Sequence, residues 1–130
     1  MAEVLGIGGI FFLCSDPETT KAWYEKTLGF IPNAYGGFDF PAKKINSAFA
    51  SGEGQVIFAP FKRDSDYFLP SHQPFMVNMV VDDLEGLVAR ITDAGVELEG
   101  EILRESYGLF AWLMDPNGIK LELYQPLSAG

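Results

Sequence analysis

Cysteine and histidine are nearly missing from this sequence. Cys14 is the only cysteine of 130 residues, which excludes an internal disulfide and a multi-thiolate zinc site within one chain. His72 is the only histidine. Cations are scarce too, with 9 Lys+Arg against 18 Asp+Glu for a formal net charge of −9, and no basic run exceeds Lys43-Lys44 or Lys62-Arg63. A polyanion would be repelled, so no nucleic acid and no membrane is expected as a partner, while a small cationic ligand would be attracted. No apolar run reaches transmembrane length, and the opening MAEVLG has no basic region followed by an apolar stretch. A cytoplasmic location is the expectation. There is no Gly-rich phosphate loop between a strand and a helix, no nucleophile elbow and no paired-Cys motif; Gly6, Gly8 and Gly9 fall in or before the first expected strand.

Apolar residues are plentiful: 48% of the chain is hydrophobic and 14% aromatic, with 11 Phe. Such a chain is too apolar to stay disordered, and its length sets a single domain or two small modules sharing a core.

The punctuation repeats. Asp16-Pro17 opens a segment closed by Leu28-Gly29-Phe30, Asp82-Asp83 opens one closed by Ala94-Gly95-Val96, and the two glycines lie 66 positions apart. In the first unit, residues 5–14 read as a strand, Asp16 as a helix N-cap with Pro17 in the first position, and Thr20, Trp23, Tyr24, Thr27 and Leu28 as one helical face. Gly29 supplies the stop, and strands are expected at 30–35, 47–51 and 55–59. In the second unit, 75–81 reads as a strand, Asp82 or Asp83 as a cap, Leu84, Leu87, Val88 and Ile91 as the helical stripe, and Gly95 as the stop. Strands follow near 102–106, 109–114 and 119–125, with Asp115-Pro116-Asn117-Gly118 as a turn. The fold class is α+β: two βαβββ modules, 1–60 and 75–126, joined by a linker at 61–74 and forming a curved mixed sheet with a cleft.

Strand alternation sorts the faces. Leu121 and Leu123 suit the helix side, leaving Lys120, Glu122 and Tyr124 on the other; likewise Ile10, Phe12 and Cys14 go under the helix and Gly9, Phe11 and Leu13 face the cleft. Asn78, in phase with Met76 and Val80, is a polar residue of the cleft face, and Phe11, Phe58, Phe110 and Trp112 are candidate pocket aromatics. Glu122 is either a functional carboxylate or one tied to Lys120 or Arg104. Cys14 reads as buried and inert, Trp23 and Tyr24 as packing, and His72 as a solvated loop residue.

Residues 14–30, CSDPETTKAWYEKTLGF, resemble the opening of the vicinal oxygen chelate superfamily, which includes glyoxalase I, extradiol dioxygenases, fosfomycin-modifying enzymes and bleomycin-resistance proteins. Residues 114–123, MDPNGIKLEL, are similar to its second signature, and 80–96 to its linking Val-Asp-Asp-Leu helix. The resemblance implies paired βαβββ modules and, in metal-dependent members, a divalent ion held by His, Gln or Glu on cleft strands. Carried over, those positions fall on Gly9, Val56, Met76 and Glu122. Glycine and valine offer no donor and a thioether suits hard ions poorly, so no metal and no cofactor are expected.

The first expectation is therefore metal-independent binding of a small cationic or aromatic molecule in an apolar cleft, lined by Phe11, Phe58, Met76, Asn78, Phe110, Trp112, Glu122 and Tyr124. The alternatives are a metal-dependent lyase or dioxygenase with shifted ligands, in which Glu122 is the one candidate catalytic residue, and a non-catalytic interaction module whose cleft is filled by side chains. A homodimer is expected, since an open sheet exposes apolar surface that a second copy can bury.

Overall fold

The computed structural model of the chain describes residues 2–127. Helix α1, Pro17–Leu28, begins where the sequence signals it: the Asp16 carboxylate accepts from the N–H groups of Glu18 and Thr19, Pro17 sits in the first position, and Gly29 ends the helix at a φ of 74°. A side chain at position 29 would also meet the Arg90 guanidinium, about 3.2 Å from where its Cβ would stand. That guanidinium donates to the carbonyls of Glu25 and Lys26 at the α1 C-terminus from the neighbouring helix, the Glu25 carbonyl also accepting from the Gly29 N–H.

A short helix α2, Ala42–Ser47, follows. Then come β1, Met76–Val80; α3, Leu84–Asp93; β2, Leu103–Glu105; β3, Gly108–Met114; and β4, Lys120–Pro126. The Asp83 side chain accepts from the Gly86 N–H at the start of α3, while Gln125 of β4 accepts from the Leu84 N–H. The open sheet has the order β1-β4-β3-β2, with β1 parallel to β4 and the other pairs antiparallel. Helices α1 and α3 cover one face, where Leu84, Ile91, Leu113, Leu121 and Leu123 are fully buried and Tyr24 and Leu28 close the core. The stripe expected on α3 and the phase expected for β4 are those observed.

The first half of the chain departs from expectation. Residues 5–14, 30–35, 47–51 and 55–59 form no strand, apart from an isolated bridge between Pro32 and Phe38. A strand is held by its ladder, and 2–15 and 55–61 make no backbone hydrogen bond among the described residues. Ala42, Lys43 and Lys44, good helix formers behind Pro41, start a helix that ends at Ser47, and 48–52 turn. Ile10 and Phe12, expected under the helix, are instead 57% and 39% exposed, and Cys14 is half-buried rather than buried. No helix among the described residues is long and apolar enough to cross a membrane.

Candidate functional site

Glu122 lies at the middle of β4 on the sheet face away from the helices. The register sets Asn78 of β1 on one side of it and Trp112 of β3 on the other. Asn78 Nδ2 donates to Oε1 at 2.7 Å and Trp112 Nε1 donates to Oε2 at 2.8 Å. A third donor comes from outside the sheet, the Tyr67 hydroxyl, which also donates to Oε2. The residue is only 8% exposed, and a carboxylate so buried has to be hydrogen-bonded. A carboxylate accepts about four hydrogen bonds, and among the described residues three donors reach this one. The unused acceptor position belongs to Oε1, on the side of exposed Asn78.

Beside the carboxylate runs an aromatic ladder. Tyr124 stacks on Phe110 with centroids 4.9 Å apart at 15°, and Phe110 is near-parallel to Trp112 at 6.3 Å and 13°. Gly108 makes the first stack possible, because a Cβ there would stand about 2.5 Å from the Tyr124 ring. Tyr67, Phe61 and Phe68 cluster above, with Tyr67 edge-on to Trp112 at 6.5 Å. Burial first, then the Glu122 carboxylate, pushes the Tyr67 hydroxyl up to about 12, so it stays a donor at neutral pH. Lys120 Nζ donates to the Tyr67 carbonyl at 2.7 Å and lies 5.3 Å and 5.8 Å from the centroids of the Tyr67 and Trp112 rings. The site thus already holds one ammonium against aromatic faces.

Comparison with known proteins follows the same lines. The sequence profile described as "Glyoxalase/Bleomycin resistance protein/Dioxygenase superfamily" matches residues 6–123. The chain belongs to that superfamily. A glyoxalase/dioxygenase from Nostoc punctiforme shares the fold at a TM-score of 0.56 and 16% identity, over 98% of this chain and 99% of that one. A glyoxalase/bleomycin resistance protein/dioxygenase from Nocardioides does so at 0.50 and 17%, over 88% and 79%. No curated protein sequence matches the chain.

Of the candidate residues of this glyoxalase-superfamily chain, the sheet brings Asn78, Phe110, Trp112, Glu122 and Tyr124 together, with Met76 in phase at the end of β1. Phe11 and Phe58 do not join them; they are 95% and 86% exposed on the unpaired segments. Glu122 is tied neither to Lys120 nor to Arg104, which pairs with Glu85 at 2.6 Å. His72 is exposed, as expected. Sequence reasoning missed Tyr67, placing it in a linker; three aromatics, Phe61, Tyr67 and Phe68, in an otherwise charged and Pro-bounded stretch were the available signal.

The residues present do not fit the divalent ion that the superfamily implies. Gly9 and Val56 lie on exposed segments, Met76 offers a thioether, and the one carboxylate has an oxygen already taken by two donors. Among the described residues no three His, Cys, Asp or Glu side chains are grouped to hold a metal.

Proposed function

We propose that the chain binds a small aromatic cation, without a metal or other cofactor, on the face formed by Glu122 and the Tyr124-Phe110-Trp112 ladder. One observation carries the reading: a buried carboxylate with no Lys or Arg in ion-pair distance among the described residues keeps one acceptor position free beside stacked rings. A cationic N–H would take that position while its ring extends the ladder. The net charge of −9 favours the same ligand at longer range. We place this activity in the cytoplasm.

A second reading rests on Tyr67 and Lys120. Tyr67 donates to the carboxylate from outside the sheet, as a bound molecule would, and Lys120 donates to the Tyr67 carbonyl, so the cleft can equally be self-filled and the chain act through protein contacts. A thermal-shift panel of cationic aromatic, neutral aromatic and carbonyl compounds separates the two. A ligand at a hundred times its dissociation constant stabilises by about 2.7 kcal/mol, a shift of several degrees in a chain of this size. Binding predicts that cationic aromatics raise the melting temperature; a filled cleft predicts no shift from any class.

A further inference from the structure

Glu122 does not stand alone as an acceptor. Asn78 is its neighbour across the parallel pair of β1 and β4, and Asn78 Nδ2 donates to Glu122 Oε1 at 2.7 Å. A carboxylate only accepts, so the amide has to turn its nitrogen to Glu122 and its oxygen elsewhere. That oxygen, Oδ1, accepts no hydrogen bond among the described residues, and Asn78 is exposed although it stands in mid-strand. The oxygen and nitrogen of one amide are about 2.2 Å apart. Asn78 Oδ1 and Glu122 Oε1 therefore lie within about 5 Å of each other, and each has an acceptor position to spare. The chain supplies no cation to that pair: Lys120 donates to the Tyr67 carbonyl, Arg104 pairs with Glu85, and Arg90 donates to the end of α1.

One ring borders the open ground beside the pair. Strands β3 and β1 flank β4. Phe110 of β3 stacks on one face of Tyr124, and no other ring among the described residues stacks on it. The second face of Tyr124 is on the β1 side, where the register sets Val80 beside it and Asn78 two residues along. Two oxygens and a ring face together suit a flat cation with two N–H donors. A quaternary ammonium has no N–H and leaves both oxygens unmet. A primary ammonium has donors, but it is a compact and strongly hydrated charge. A guanidinium-type cation is weakly hydrated, lies flat on aromatic faces and donates from two nitrogens side by side.

We propose that the cation bound at Glu122 is a planar N–C–N group, an amidinium or guanidinium, with one N–H on Glu122 Oε1, another on Asn78 Oδ1 and its plane against Tyr124. Glu122 supplies the charge that any cation would feel. Asn78 then selects between cations of equal charge, given that the face takes a cation as proposed above.

Titration calorimetry on the full chain tests this with benzamidinium, benzylammonium and benzyltrimethylammonium, three probes that share one ring and one positive charge. Benzamidinium should bind at least about tenfold more tightly than either of the others, the scale of one hydrogen bond to a charged group. Asn78→Leu keeps the volume and removes Oδ1. It should weaken benzamidinium by about tenfold and benzyltrimethylammonium by less, closing the gap between them. If that variant does not fold, the ranking of the three probes on the unaltered protein still decides. A second probe that equals or exceeds benzamidinium, or a gap that Asn78→Leu leaves unchanged, overturns the amidinium assignment while the cation reading stands. Failure of all three probes to bind overturns both.

Discussion

Glu122 holds its place through donors that differ in what they tolerate. Trp112 Nε1 and the Tyr67 hydroxyl both aim at Oε2, and an indole N–H can only donate. Asn78 aims its amide at Oε1 and can turn over to present its oxygen instead. Glu122→Gln therefore keeps all three contacts once the Asn78 amide flips, and should cost less than about 1 kcal/mol. Glu122→Leu leaves an indole N–H unpartnered and should cost about 2–4 kcal/mol; urea melts of both variants check the pair, and equal losses would contradict this account. Tyr67 adds a pH dependence. Its neutral form is the donor, and its ionisation is pushed up to about 12 from the 10 of an unburied tyrosine. A group favoured in its protonated form stabilises fully below about pH 10 and loses that contribution as pH rises towards 12. The gap in melting temperature between the protein and Tyr67→Phe should narrow over this window; a constant gap would contradict it. Asn78, Trp112 and Glu122 were legible in the sequence because alternation fixes their face. Tyr67 was not, because it reaches Glu122 from 55 positions away along a loop without period.

Elements with local signals formed where the sequence marked them. Asp16, Pro17, Gly29 and Asp83 act within a turn of their own helices, and nothing distant can overrule them. Strands of the first half carried equally good apolar patterns but no partner, and a strand is a property of two segments. Docking of α1 onto the sheet depends on a contact of the same non-local kind. The Tyr24 hydroxyl donates at 2.7 Å to Asp115 Oδ2, while Oδ1 accepts from the N–H groups of Asn117 and Ile119 and shapes the turn before β4. Burial first, and the Asp115 carboxylate second, push the Tyr24 ionisation well above the usual tyrosine range. Tyr24→Phe removes one donor from a buried carboxylate and should lower stability by about 1–2 kcal/mol. Denaturation midpoints measure it; an unchanged midpoint would mean that the Tyr24–Asp115 contact adds nothing to the docking of α1.

Across the whole molecule, one face of the sheet makes the core and the other makes the site, and the same alternation along β3 and β4 produces both. Leu121 and Leu123 are fully buried under the helices while Glu122, between them, meets its donors on the far side. Because only one superfamily ligand position retains a good donor for a hard ion, a chelator should leave the melting temperature unchanged, and elemental analysis should find no stoichiometric Zn, Ni, Fe or Mn; one equivalent of held metal would contradict that. The central claim is that Glu122 recognises a small aromatic cation, and titration calorimetry tests it most directly, with the best cationic compound of the panel on the protein and on Glu122→Gln. The account predicts that the substitution, which keeps the shape and removes the charge, weakens binding by about 1.5–3 kcal/mol, the scale of a charge-assisted hydrogen bond. Equal affinities for the two proteins would contradict it.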